Sequence, residues 1–198
     1  MGTVVMGLPI PYVPAQLLWN NLVTNALQDV ALAFEPGEKN VVDRPPRDPK
    51  EGIMSSTLIQ RTVIVGIVIA AGVIYNFSNA LNQGESLEKA RTVAVTTMVF
   101  FQFFQAWNSR SEFQSIFSLG FTGNPFLLFA LVAATLAQLA LIYVPALQWF
   151  FRTEPFFLED WIPIIAVSVT VILVVEIDKW IRSKWDSMVS SRRTPGRS

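Results

Sequence analysis

An all-α fold, a polytopic membrane protein with five transmembrane helices, is what this sequence predicts. Three observations carry that expectation. Of 198 residues, 52% are hydrophobic and 15% are charged, and the mean hydropathy is +0.41, more apolar than a soluble domain of this size. No Lys, Arg, Asp or Glu precedes Asp29, and most of the rest cluster at 35–51, 85–91, 152–160 and 176–197. Long apolar blocks separate those clusters, which is the pattern of repeated membrane crossings.

The first span is expected at about 15–34. Pro9, Pro11 and Pro14 suit a tight turn ahead of it, with Pro14 tolerated at the first helical turn, and Glu35-Pro36-Gly37 stops it. A polar loop over 35–57 follows, and three prolines between Pro45 and Pro49 make it extended and stiff. The second span, about 60–78, is rich in Val, Ile and Ala. The third, about 92–108, is aromatic and contains Gln102 and Gln105. The fourth, about 125–146, contains Gln138. The aromatic stretch from Trp149 to Phe157 suits a membrane–water interface. The fifth span is about 161–179. Residues 1–185 are thus expected to form one membrane domain, and 186–198 a basic, disordered tail.

Basic residues set the orientation. Twelve of the fifteen, among them Lys39, Arg44, Arg61, Arg110 and Lys179, fall on one side; Lys89, Arg91 and Arg152 fall on the other. The positive-inside rule puts the 35–57 loop, the 109–124 loop and the C-terminus in the cytoplasm. The expected location is the plasma membrane. Five spans then leave an uncharged N-terminus outside. That arrangement, with the abrupt apolar start at Met1, raises the expectation of a further helix upstream. No basic n-region marks a cleavable signal.

Whole classes of chemistry are excluded. Cysteine and histidine are both absent, which removes disulfides, thiolate and imidazole metal ligands, and His-based triads. No Gly-rich phosphate loop occurs, and nothing suggests nucleic acid as a partner. The lipid bilayer is the first partner expected.

Candidate site residues come from the first span. At 100° per residue, Asn21, Thr24, Asn25, Gln28 and Asp29 fall within an arc of roughly 140°. Oxygen-bearing side chains on one face of an apolar helix are costly in lipid, so they should face a protein interior or an aqueous path. Oxygen ligands suit hard cations. The same residues also serve as interhelical hydrogen-bonding groups. For Gln102 and Gln105 interhelical bonding is the simpler reading, and Gln138 reads as structural. Glu176 and Asp178, beside Lys179 and Arg182, read as an ion-paired helix end. Asn76-Phe77-Ser78 forms a glycosylation sequon so close to the membrane that it reads as chance.

The stretch Pro14-Ala15-Gln16-Leu17-Leu18-Trp19-Asn20-Asn21-Leu22-Val23-Thr24 resembles the start of the sixth membrane helix of type II P-type cation-transporting ATPases, whose pattern is close to P-x-Q-x-L-W-x-N-L-x-T-D. Ala31-Leu32-Ala33-Phe34-Glu35-Pro36 and Arg44-Pro45-Pro46-Arg47 are similar to the family's following segment. Gln102-Phe103-Phe104-Gln105-Ala106-Trp107-Asn108-Ser109-Arg110-Ser111-Glu112 looks like the end of its eighth helix. The resemblance runs from about residue 7 to about residue 185. It implies that the five spans are the last five of a ten-helix membrane domain.

By the same resemblance, the Asn, Thr and Asp that the sixth helix of calcium pumps supplies fall on Asn21, Thr24 and Asn25. The eighth-helix carboxylate falls on Gln102. Two carboxylates are therefore neutral here, and the next acid is Asp29, about 6 Å further along the axis. Gln28 stands where the family has a proline. Fewer charges weaken the case for a divalent ion and suit a monovalent cation equally. The family's phosphorylated Asp lies in a D-K-T-G-T motif that this sequence does not contain. The chain alone is thus expected to bind no cofactor and hydrolyse no ATP; a separate chain carrying the catalytic domains would supply energy. The alternatives are a non-enzymatic membrane protein, either a pump regulator or a gene remnant, and a small passive cation channel. The loop Asp43 to Pro49 is either a docking surface for a catalytic domain or a solvated connector.

Overall fold

The computed structural model describes residue 3 and residues 6–36, 56–111, 115–119 and 123–193, with side chains except at 25, 56, 117, 119 and 185–193. Every regular element among the described residues is helical. In chain order they are α1 (Pro14–Asn20), a widened segment (Asn21–Asp29), α2 (Val30–Leu32), α3 (Ser56–Asn82), α4 (Leu87–Asn108), α5 (Ile116–Leu119), α6 (Pro125–Tyr143), α7 (Pro145–Phe151) and α8 (Leu158–Arg193). The 35–57 loop lies largely outside the described residues, and with it the docking expectation for Asp43 to Pro49.

Local chemistry sets most boundaries. Pro14 opens α1, and the Gln16 side chain accepts a hydrogen bond from Val13 N at 3.2 Å. Ser86 caps α4 by accepting from Lys89 N at 2.9 Å, and Asn124 caps α6 by accepting from Leu127 N at 2.9 Å. The fourth span ends earlier than the expected 125–146. Pro145 pushes Val144 to an extended backbone (φ −90°, ψ 117°), so α6 stops at Tyr143 and α7 starts afresh. The backbone of α8 stays helical to Arg193, because the sequence offers no helix breaker before Pro195-Gly196.

The centre of the bundle is α4. It packs on α3 and α8 to one side, and on the widened segment, α1 and α6 to the other. Two apolar clusters meet across it. Val99, Phe103 and Ala106 join Val23, Ala31, Leu127 and Ala134. Ala90, Ala94 and Phe101 join Val73, Phe77, Val171 and Val175.

Among the described residues three helices are long and apolar enough to cross a membrane: Thr57–Asn82, Pro125–Tyr143 and Leu158–Lys184. The two other expected spans do not meet that standard. The first is interrupted by the widened segment and its polar side chains. The second, α4, is too polar, and its position explains why that is tolerated. Thr92, Thr96 and Thr97 are fully buried. Each hydroxyl donates to the carbonyl four residues back, at 2.8, 2.7 and 2.8 Å. A helix wrapped by its neighbours need not present an apolar surface to lipid.

Ionic contacts tie the bundle at two ends. At one, Arg110 pairs with Glu35 at 2.9 Å, Arg61 and Arg182 each meet Asp178 at 2.8 Å, and Lys179 lies 3.8 Å from Glu176. The ion-paired helix end expected of Glu176 and Asp178 is present, and Arg61 of α3 joins it. At the other end, Lys89 pairs with Glu85 at 2.8 Å and Asp160 at 3.3 Å, and Arg91 donates to Ile10 O at 3.0 Å. The Glu85 hydrogen bond, with help from Asp160, raises the pKa of Lys89. Burial raises that of Tyr12, just ahead of α1.

Candidate functional site

The first helix is continuous from Pro14 to Leu32, but its hydrogen-bonding pattern widens to i→i+5 over Asn21–Asp29. Such π-helical stretches are rare and recur at functional sites. Asn20, Thr24 and Gln28 turn into the bundle, at 8%, 1% and 3% exposure, while Asn21 and Asp29 lie on the exposed side. The single stripe expected from the sequence is therefore two stripes. The side chain of Asn25 lies outside the described residues.

The inward stripe faces α4 and α6. Thr24 Oγ1 donates to Asn20 O at 2.6 Å. Asn20 Oδ1 and Gln28 Nε2 are buried with no hydrogen-bond partner among the described residues. Buried amide groups in that state are costly. Gln102 is half-buried on α4, the helix against which the widened segment packs. Gln105 departs from its expected interhelical role. Its amide meets Ser109 Oγ at 3.5 Å and Asn108 Nδ2 at 3.4 Å on its own helix. Gln138 is structural, as expected: it accepts from Trp19 Nε1 at 2.9 Å and donates to Thr96 Oγ1 at 2.9 Å. One polar bridge thus joins α1, α4 and α6.

Among the described residues no three acidic side chains gather to hold a metal ion. Any cation held here would rely mainly on neutral oxygens. Two buried amides escaped the sequence reading. Asn76 donates to Thr97 Oγ1 at 3.1 Å and Asn108 donates to Val171 O at 3.3 Å, each leaving its Oδ1 without a partner among the described residues. Their place in the middle or at the end of apolar helices was the available signal. Asn76 is 2% exposed, so the sequon it opens is inaccessible.

Residues 9–181 match the family described as "Cation transporting ATPase, C-terminus". The chain belongs to this family. It is 33% identical over 178 residues to "Probable cation-transporting ATPase F" of Mycobacterium bovis, covering 90% of this chain and 20% of that protein. It is 32% identical over 189 residues to "Calcium-transporting ATPase type 2C member 1" of Homo sapiens, covering 94% and 21%. A third relative is "Calcium-transporting ATPase 1" of Yarrowia lipolytica, 31% identical over 176 residues, covering 89% and 19%. The chain therefore spans about a fifth of the length of these relatives. The widened segment, Asn21–Asp29, lies inside the family match.

Proposed function

We propose that the chain supplies the last five membrane helices of a cation-transporting P-type ATPase and forms part of its ion pathway. Asn21, Thr24 and Asp29 act as oxygen ligands, with Asn25 and Gln102 as neutral companions. The carrying observation is the widened segment itself. An otherwise regular bundle departs from α-geometry over nine residues, and those residues include the polar groups that lipid would penalise. The sparse charge suits a monovalent cation at least as well as a divalent one.

On this reading all five expected spans cross the membrane. α4, with 22 residues, is about 33 Å long, enough for a hydrocarbon core of about 30 Å. The Arg61, Arg110 and Lys179 end is cytoplasmic, as is the C-terminus, and the membrane is the plasma membrane. Energy comes from ATP-binding domains on polypeptide other than the residues present here. The exposed side of the first helix, bearing Asn21 and Asp29 beside Leu18, Leu22 and Val30, is where further membrane helices would close the site.

A second reading, a regulator that packs against an intact pump, draws on the same exposed side, since Asn21 and Asp29 do not converge with the inward stripe. Equilibrium binding of radiolabelled sodium, rubidium and calcium to the chain in nanodiscs separates the two. Selective retention of one ion, lost in Asp29→Asn, is expected of the ion pathway. Equal retention by both proteins would defeat it and leave the regulator. Ion flux through proteoliposomes without ATP would point instead to a passive channel.

A further inference from the structure

Where α3 ends and α8 begins, a cleft of about 700 Å³ opens beside the first turns of α4, lined by Asn76, Glu85, Lys89, Phe157, Glu159 and Asp160 among others. Its named charges are three carboxylates against one ammonium, a formal balance of −2. At its lining lies Asn76, 2% exposed. Its amide nitrogen is held by Thr97 Oγ1 at 3.1 Å and Pro163 O at 3.4 Å, and its Oδ1 has no partner among the described residues. A buried carbonyl oxygen in that state calls for a donor.

The balance of charge favours a cation, and the geometry limits its kind. The acidic groups do not gather tightly enough to enclose a metal ion. They do accept an ammonium, because Lys89 Nζ already lies 2.8 Å from Glu85 Oε1 and 3.3 Å from Asp160 Oδ2. The rim is apolar: Phe157 and Ile162 are 80% and 70% exposed. Asn76 sits six residues before the end of α3 at Asn82, about 9 Å along the axis. The cleft thus opens near the depth of lipid headgroups if α3 crosses a bilayer.

We propose that this cleft binds a primary ammonium group, delivered by the headgroup of an aminophospholipid or by a free alkylamine. Asn76 Oδ1 is closed to solvent, so its side chain turns toward the cleft on binding to meet the N–H donors, while Glu159 with the outer part of Asp160 supplies the counter-charge. A trimethylammonium headgroup carries the same charge but no N–H, so it fails at Asn76.

The test is native mass spectrometry of the full chain with phosphatidylethanolamine or phosphatidylcholine of matched acyl chains. Retention of phosphatidylethanolamine should exceed that of phosphatidylcholine by about tenfold, the factor expected for one charge-assisted hydrogen bond. Asn76→Leu and Glu159→Gln should each shrink the preference. Glu159 is exposed on the rim, so its variant remains informative if Asn76→Leu fails to fold. Free ethanolamine displacing the lipid would mark the ammonium alone as the ligand; a lipid preference that resists it would mark a lipid-delivered headgroup. Equal retention of the two lipids would overturn the proposal, as would an undiminished preference in Glu159→Gln.

Discussion

Gly72 of α3 faces the ring of Phe101 on α4, and the consequences of adding one methyl there follow from two opposing effects. A Cβ at this position would lie 2.5 Å from Phe101 Cζ, 2.6 Å from Cε2 and 2.8 Å from Val167 Cγ1. Ordinary contacts are near 3.5 Å or more. Phe101 is fully buried among Val73, Phe77 and Val171, so its ring has no open space to swing into. Overpacking of this kind costs about 1–3 kcal/mol. Against it, alanine is favoured over glycine within a helix by about 1 kcal/mol. The clash wins, and Gly72→Ala should lose up to about 2 kcal/mol net. Gly66, on the same helix, has nothing within 4 Å of a Cβ, so Gly66→Ala should gain up to about 1 kcal/mol. Reversible unfolding in mixed detergent micelles, followed by circular dichroism, measures both. Gly72→Ala combined with Phe101→Leu should recover part of the loss through coupling between neighbours. Gly72→Ala at or above wild-type stability, or both glycine variants falling equally, would refute the claim that α3 and α4 touch here at closest approach.

Gln138→Leu removes both arms of the bridge from Trp19 to Thr96 and leaves the half-buried indole N–H without its acceptor, at about 1–2 kcal/mol; a double-mutant cycle with Trp19→Phe should return a coupling of about 0.6 kcal/mol or more. Glu35→Gln discharges the partner of Arg110, whose side chain is 3% exposed against 16% for Glu35; a loss near 2 kcal/mol, between exposed and fully buried pairs, should appear in the same unfolding assay. Lys89 has a raised pKa through Glu85 and Asp160. A raised lysine stabilises fully below its unfolded value, about 10.4, and the benefit fades as pH climbs through the folded value. Melting temperatures taken from pH 9 upward should fall more steeply in wild type than in Lys89→Met, and parallel curves would dismiss the pair as a contributor.

Much of the architecture was legible because its signals are local. Pro14 marks a helix start that reads the same in sequence and in space, whereas the caps at Ser86 and Asn124 emerged only with the structure. Apolar blocks marked the cores of α3, α6 and α8. Lengths were read short, since α3 runs from Ser56 and α8 from Leu158, and charged helix ends such as Arg61 and Glu159 look like loop until their partners are known. The polarity of α4 was visible, but not its central position, which depends on contacts with residues far along the chain. Within the candidate site, residue types were legible and directions were not. The separation of Thr24 from Asp29 follows from which side of the first helix α4 and α6 cover, and those contacts join residues far apart along the chain.

The widened segment also changes what comparison with relatives can transfer. A wheel drawn from the α1 end and another drawn from the α2 end disagree in phase, because the turns between them hold more residues than an α-helix does. Where residues line up one for one with a relative's across this stretch, their bearings agree only if the relative carries the same widening. A ligand assigned here by counting along an alignment inherits its neighbour's place in the chain without inheriting the direction in which it points. The phase offset is therefore a property to be matched before any site geometry is carried between members of the family.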